Sequence, residues 1–148
     1  MNTLKSFFTL LVVSLIVALV HNAGRPYPIA LSQPLPALAP GDVSLSVAKT
    51  RLKDSSTVFI DARPQAVYVR GHIPGALQLT PVEFQHVFPS LKDRFQGKNL
   101  IVYCSGPRCP KAERIQRSLK GEGLEDVLVL RVGYKAWLEA GLPVERSP

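Results

Sequence analysis

The 148-residue chain is poor in several residue types: it has two cysteines, one tryptophan, one methionine and three histidines. Two cysteines without neighbouring histidines are too few for a zinc site, whose ligands come clustered at short spacings. No metal and no other cofactor is therefore expected. No internal repeat is visible. Acidic residues are also scarce, 11 against 18 basic ones, giving a net charge of +7. That balance steers anionic small molecules toward the surface. A nucleic-acid partner is not expected.

Charge is missing altogether from Ser6 to Gly24. Within that zone Phe7–Val20 forms an apolar core of fourteen residues, short against the about 20 of a membrane span and typical of a signal peptide. A good cleavage site is missing too, because Ala23 would need a small residue where His21 stands. These features favour an uncleaved anchor over a removed signal peptide. A buried core helix fits less well, since the segment is apolar all round and terminal. Either main reading exports the rest of the chain, and the positive charge ahead of the segment places its amino end inside. The expectation is a membrane-anchored domain outside the cytoplasm, periplasmic in a bacterium. The alternative is a secreted or periplasmic domain released by cleavage.

Proline, by contrast, is concentrated. Pro26, Pro28, Pro34, Pro36 and Pro40 all fall between Arg25 and Gly41. Such a stretch cannot be helical and reads as an extended, semi-rigid spacer. The expected organisation is thus residues 1–24 as signal anchor or signal peptide, 25–41 as proline-rich linker, and 42–148 as one globular domain. With 46% hydrophobic residues there is ample material for a core.

The domain is arranged around Leu100-Ile101-Val102-Tyr103-Cys104-Ser105-Gly106-Pro107-Arg108-Cys109-Pro110. The apolar, β-branched run reads as a buried parallel strand. Pro110 suits the first position of a helix, where its missing N–H has no partner to lose. Ala112, Ile115 and Leu119 then recur at helical spacing. Cys104 therefore stands where a strand ends and a tight loop begins. A loop curling into a helix N-terminus turns backbone N–H groups inward, and the helix dipole adds positive potential. A cysteine so placed ionises more easily, and the thiolate is the nucleophile. The competing reading is a small buried residue at a strand end.

The other elements follow from similar signals. Asp42 is placed to cap a helix reaching Lys53, with Leu45, Ala48 and Leu52 inward. Thr57–Asp61 reads as a buried strand ending in a carboxylate. A short helix over Gln65–Val69, a turn cluster Gly71–Gly75 and a short strand Ala76–Leu79 come next. Thr80 caps a helix opening at Pro81, apolar at Val82, Val87 and Leu91, which Pro89 is expected to break or bend. The Pro110 helix ends near Gly121 or Gly123, Val127–Leu130 is a strand, and Tyr134–Ala140 is the last helix, with Tyr134 and Trp137 as core anchors. Strands alternating with helices imply a small parallel β-sheet covered by helices on both faces, an α/β fold preceded by an N-terminal hydrophobic helix. Ligands of such sheets bind beyond the carboxyl ends of the strands, where Cys104 and Asp61 both stand.

Three stretches resemble the signatures of the rhodanese-like domains. Asp61-Ala62-Arg63 with Gly71-His72-Ile73-Pro74-Gly75-Ala76 is similar to the first of them. Gly133 through Trp137, with Gly141-Leu142-Pro143-Val144, is similar to the carboxyl-terminal one. Tyr103-Cys104 and its loop stand where the family places its active-site cysteine. The resemblance spans about residues 42 to 145. It implies a sulfurtransferase: Cys104 takes sulfane sulfur from an anionic donor such as thiosulfate, holds it as a persulfide, and passes it to cyanide or a thiol. The loop residues Ser105, Gly106, Pro107, Arg108 and Cys109 would then bind the substrate, their amides stabilising thiolate and persulfide and Arg108 positioning the anion. Asp61, Arg63 and His72 are expected to support the structure rather than the chemistry.

The sequence departs from the family in identifiable places. Active members often have Arg directly after the cysteine and Gly three residues after it. Here Ser105 follows, Gly106 comes two along, and Arg108 stands one place before the family's later loop arginine. Val67 precedes Tyr68 where an acidic residue is usual. The Arg108 spacing is also one residue short of that in the phosphatases sharing this architecture, which disfavours a phosphatase. Cys109 is an unusual loop resident. It opens an alternative in which Cys104 and Cys109 form an exported thiol–disulfide pair serving a membrane-protein or redox partner, provided their Cα atoms come within roughly 7 Å. A third reading is a non-catalytic binding module with the same fold.

Overall fold

A computed structural model describes residues 2–24 and 38–147. The chain divides into two compact units, Met1–Pro34 and Leu35–Pro148. In the first, helix α1 spans Asn2–Ala23. Its segment Leu4–Ala23 has a mean hydropathy of 2.1 and none of it is buried. Twenty helical residues reach about 30 Å, the thickness of a bilayer core. By length and composition α1 is able to cross a membrane, and a signal sequence passes the same test. The hydroxyls of Thr9 and Ser14 donate to the carbonyls of Lys5 and Leu11, so they stay satisfied on their own helix. The proline-rich linker expected at 25–41 lies outside the described residues as far as residue 37.

The second unit is built on β1 (Thr57–Asp61), β2 (Leu77–Gln78), β3 (Asn99–Tyr103) and β4 (Val127–Leu130). All pair in parallel in the order β2-β1-β3-β4. In register, Ile60 sits beside Leu77 on one side and Val102 on the other, and Val102 beside Val129. Alternation sorts the side chains into two cores. Ile60, Leu100, Val102, Val127 and Val129 face one cluster, completed by Phe84, Phe88 and Phe95 and by Ala112, Ile115 and Leu119. Phe59, Ile101, Tyr103 and Leu130 face the other, completed by Ala48, Tyr134 and Trp137. The helices contributing them are α2 (Leu45–Arg51), α4 (Phe84–Phe95), α5 (Lys111–Gly121) and α6 (Gly133–Glu139), with α3 (Gln65–Tyr68) in the β1–β2 connection. The expected α/β architecture is therefore the observed one. Trp137 is fully buried, meets Phe59 edge-on at 6.0 Å, and donates its indole N–H to the carbonyl of Pro143 at 2.8 Å. Burying a large apolar side chain contributes about 1.5–3 kcal/mol, so such anchors fix the last helix to the sheet.

Several local expectations differ from the structure for definable reasons. Asp42 does not cap α2. It bridges to Val129 at the edge of β4 and gives its carboxylate to Arg131, while Ser44 caps the helix by accepting from the Val47 N–H. Helix α2 ends at Arg51 rather than Lys53, and β2 is shorter than Ala76–Leu79. Helix α4 begins at Phe84, not Pro81, so Val82 is left 90% exposed and the buried stripe is Phe84, Phe88 and Phe95. Thr80 and Glu83 form a reciprocal turn just ahead of it, the Glu83 N–H donating to Thr80 and the Thr80 hydroxyl to the Glu83 carboxylate. Pro89 lies inside α4 without ending it. It removes a single backbone donor, and burial of Phe88 and Phe95 on either side holds the helix together.

Candidate functional site

Strand β3 is central in the sheet, and its carboxyl end delivers Cys104 to the loop before α5. Cys104 is only 3% exposed and packs into the core cluster with Ala62, Leu79 and Ala112. Ser105 and Arg108 are exposed, whereas Gly106, Pro107 and Cys109 are half-buried. Arg114, Arg117 and Lys120 lie on the solvated face of α5.

Cys104 and Cys109 are joined by a disulfide, their Cα atoms 6.1 Å apart. The structure thus holds the site in its oxidised form, with no free thiol at either position. The loop closes without unravelling. Its interior turn is made by the Cys109 N–H donating to the Gly106 carbonyl at 3.0 Å. That amide, expected to face a thiolate, is committed instead to the turn. The amides of Lys111, Ala112 and Glu113 open α5 and have no intrahelical acceptor, as in the first turn of any helix.

The loop is docked on α6. The Tyr134 N–H donates to the Cys104 carbonyl at 2.8 Å and the Lys135 N–H to the Ser105 carbonyl at 3.1 Å. Gly133 permits this approach. It has φ +68°, and a Cβ there would lie 2.6 Å from both the Cys104 carbonyl oxygen and the Gly106 nitrogen. A narrow cleft beside the disulfide is lined by both cysteines and by Gly106, Pro107, Glu113 and Arg131. Arg131, immediately after β4, donates to both Asp42 oxygens at 2.6 and 2.9 Å and to the Glu113 carboxylate. Those two carboxylates hold its guanidinium more firmly protonated than usual. This triad was missed in the sequence. Its signal was available: Arg131 follows a strand end, the same rule that singled out Cys104 and Asp61.

Asp61, Arg63 and His72 lie elsewhere in the unit, all buried. Arg63 donates through Nε and Nη2 to the Asp61 carboxylate at 2.6–3.0 Å and through Nη2 to the Gly71 carbonyl at 2.8 Å. Burial alone would lower the guanidinium pKa, but the Asp61 hydrogen bonds and charge outweigh it, and the net shift is upward. The same guanidinium lies 3.8 Å over the Tyr134 ring. Tyr103 accepts from the Ile73 N–H at 3.1 Å, and burial together with the Asp61 charge pushes its phenol well up. Burial also raises Tyr134. His72 stacks on Tyr68 with centroids 3.9 Å apart and directs Nδ1 to the Tyr68 carbonyl at 3.0 Å. Its backbone pairs both ways with Glu145, tying the chain end to the turn. None of these three borders the Cys104 cleft. Among the described residues, no group of His, Cys, Asp and Glu is arranged to hold a metal ion.

A parallel sheet with a loop cysteine beyond its central strand, backed by a buried Asp-x-Arg pair, defines a small α/β domain with its site at the strand ends. The family model described as "Rhodanese-like domain" matches residues 44–140, and the chain belongs to that family. It is 33% identical over 114 residues to a tRNA uridine(34) hydroxylase of Brucella ovis, covering 74% of this chain and 34% of that protein. It is 31% identical over 110 residues to an HTH-type transcriptional regulator of Mycobacterium tuberculosis, covering 74% and 47%. The chain therefore spans a third to a half of the length of these curated relatives. Among solved structures, a Bacillus halodurans protein superposes with TM-score 0.65 at 22% identity, covering 72% of this chain and 77% of that one. A thiosulfate sulfurtransferase from Pseudomonas aeruginosa superposes with TM-score 0.60 at 24% identity, covering 81% and 22%. At these identities the structural likeness speaks for the fold.

Proposed function

We propose that the domain is a sulfurtransferase that carries sulfane sulfur as a persulfide on Cys104, from an anionic donor such as thiosulfate to a thiol or cyanide. The observation that carries this reading is the position of Cys104, at the carboxyl end of the central strand and at the foot of a loop leading into α5. Family membership and the shared fold with a thiosulfate sulfurtransferase support it. The net charge of +7 and the exposed Arg108 suit an anionic donor.

The chemistry begins with reduction of the Cys104–Cys109 disulfide by an external thiol. The freed Cys104 thiolate attacks the outer sulfur of thiosulfate. A new S–S bond forms, the bond within thiosulfate breaks, and sulfite leaves with the electron pair. The acceptor's thiolate, or cyanide, then attacks the terminal sulfur of the persulfide and expels Cys104 as thiolate. Loop and α5 first-turn amides and the α5 dipole stabilise the anion at each stage. We further propose that α1 anchors this domain to a membrane with the domain outside the cytoplasm, facing a membrane-protein or redox partner. Protease accessibility in intact cells and sequencing of the mature amino terminus test that placement.

The decisive test of the chemistry is thiocyanate formation from thiosulfate and cyanide by the full chain. Pre-reduced protein is expected to turn over, the oxidised protein to lag until reductant is added, and Cys104→Ser to be inactive under both conditions. Cys109→Ser, which cannot form the disulfide, is expected to show no lag. Turnover by Cys104→Ser equal to the wild type would sink the reading.

A further inference from the structure

Sulfur transfer at Cys104 leaves Cys109 without a task, although the structure bonds it to the nucleophile. We infer that Cys109 is the resolving cysteine of the site: it discharges the Cys104 persulfide as hydrosulfide, and the disulfide so formed is reopened by an external dithiol attacking Cys109. This rests on the sulfur-transfer reading of Cys104 and adds to it a second activity, dithiol-driven reduction of sulfane sulfur.

The geometry points to it in two ways. First, the two sulfurs meet while the loop keeps its native contacts. The hydrogen bonds from Tyr134 to Cys104, Lys135 to Ser105 and Cys109 to Gly106 coexist with the disulfide and a 6.1 Å Cα separation. Closing the bond therefore needs no unfolding of the site. Second, the pair is asymmetric. Both line the cleft, but Cys104 is 3% exposed and packed into the core, whereas Cys109 is only half-buried. Thiol–disulfide exchange requires the attacking thiolate to approach one sulfur and expel the other. Cys109 is the more accessible of the two to an incoming dithiol, so Cys104 is the sulfur expelled.

The steps balance. The Cys109 thiolate attacks Cys104 Sγ of the persulfide; the Cys104–Cys109 bond forms and the bond to the outer sulfur breaks. That sulfur leaves with the electron pair, takes one proton from solvent and is released as hydrosulfide, reduced by the two cysteine sulfurs, which become the disulfide. A dithiol then attacks Cys109, releases Cys104 as thiolate, and closes its own disulfide to free Cys109. The dithiol is the reductant and is consumed once per sulfur.

Two arms on the full chain test this. In the first, reduced protein freed of reductant receives one equivalent of thiosulfate, and intact mass and sulfide are measured. Wild type is expected to lose two hydrogens and release one hydrosulfide per chain, whereas Cys109→Ser keeps an added sulfur and releases none. A stable persulfide on the wild type, or equal release from Cys109→Ser, overturns the proposal. If neither protein takes up sulfur, the sulfur-transfer reading is what fails. The second arm does not depend on it. Oxidised wild type is treated with limiting glutathione, quenched at acid pH and mapped by peptide mass. Glutathione is expected on Cys109; glutathione mainly on Cys104 overturns the assignment of Cys109 as the entry point.

Discussion

Replacing Gly133 by alanine tests whether the Cys104 loop is positioned by its contact with α6. Gly133 has φ +68°, a conformation that costs an ordinary residue about 1–2 kcal/mol. The added Cβ would also stand 2.6 Å from the Cys104 carbonyl oxygen and the Gly106 nitrogen and 2.7 Å from the Gly106 Cα. These are backbone atoms and cannot rotate away, so the loop must lift from α6. Lifting it breaks the hydrogen bonds from the Tyr134 and Lys135 amides, each contributing about 0.5–1.5 kcal/mol. Together the expected loss is about 2–5 kcal/mol, a large part of the about 5–15 kcal/mol that holds a domain folded. For a domain of this size that is a fall in Tm of about 8–20 °C. Gly97→Ala is the matched control: Gly97 has φ +65° but nothing within 4 Å of the added carbon, so only the conformational cost of about 1–2 kcal/mol applies. Both variants are melted in the oxidised state, followed by circular dichroism, with thiocyanate formation assayed after reduction. Equal destabilisation by the two substitutions would refute the docking argument.

Other outcomes follow from the same geometry. Asp61→Asn leaves the Arg63 guanidinium buried without its counter-charge, and the expected loss is about 3–5 kcal/mol in urea titration, larger than that of replacing both residues by apolar ones. Reducing the Cys104–Cys109 disulfide, which closes a loop of sequence separation 5, is expected to lower stability by about 2 kcal/mol, read from urea midpoints with and without reductant. Burial raises the Asp42 pKa, but the Arg131 hydrogen bonds and charge and the Ala39 N–H bring it below its ordinary 3.8. A depressed carboxylate stabilises above its unfolded pKa, and that stability is lost as pH falls through the folded one. Arg131→Gln is therefore expected to flatten the acid limb of the stability–pH profile where it falls below the ordinary Asp42 value of 3.8, and an unchanged limb there would show that Arg131 does not set it.

The strand pattern was the readable part of the fold. Thr57–Asp61, Leu100–Tyr103 and Val127–Leu130 are short β-branched runs between turn signals, and a buried parallel strand has few other ways to look. Helix boundaries were harder. Val82 belongs by spacing to an apolar stripe, but Pro81 and the Thr80–Glu83 turn delay the helix until Phe84 and leave Val82 in solvent. Asp42 carries the residue type of a cap, yet its position was decided by Arg131, far along the chain. No local pattern contains that partner. At the site, Cys104 was marked by strand and loop alone, whereas the Cys109 bond depended on a loop path that the sequence left open between two readings. Gly133 was visible as part of a signature. Its reason, the closeness of the Cys104 backbone, is tertiary.

The two halves of the family pattern meet at Tyr134. Arg63 is held in the plane of the Asp61 carboxylate and by the Gly71 carbonyl, which fixes its face against the Tyr134 ring at 3.8 Å. Tyr134 in turn spends its backbone N–H on the Cys104 carbonyl. A buried ion pair is weak grounds for stability by itself, since desolvation offsets much of its attraction. What this one does is orient a planar cation that packs on an aromatic ring, and a lysine in its place would keep the charge and lose the plane. Asp61, at the end of β1, is thereby linked to the Cys104 carbonyl at the end of β3 through Arg63, Tyr134 and one amide. The Asp-x-Arg pair does not touch the cleft; it is joined to the Cys104 loop through Tyr134, whose ring faces the guanidinium and whose amide bonds the Cys104 carbonyl.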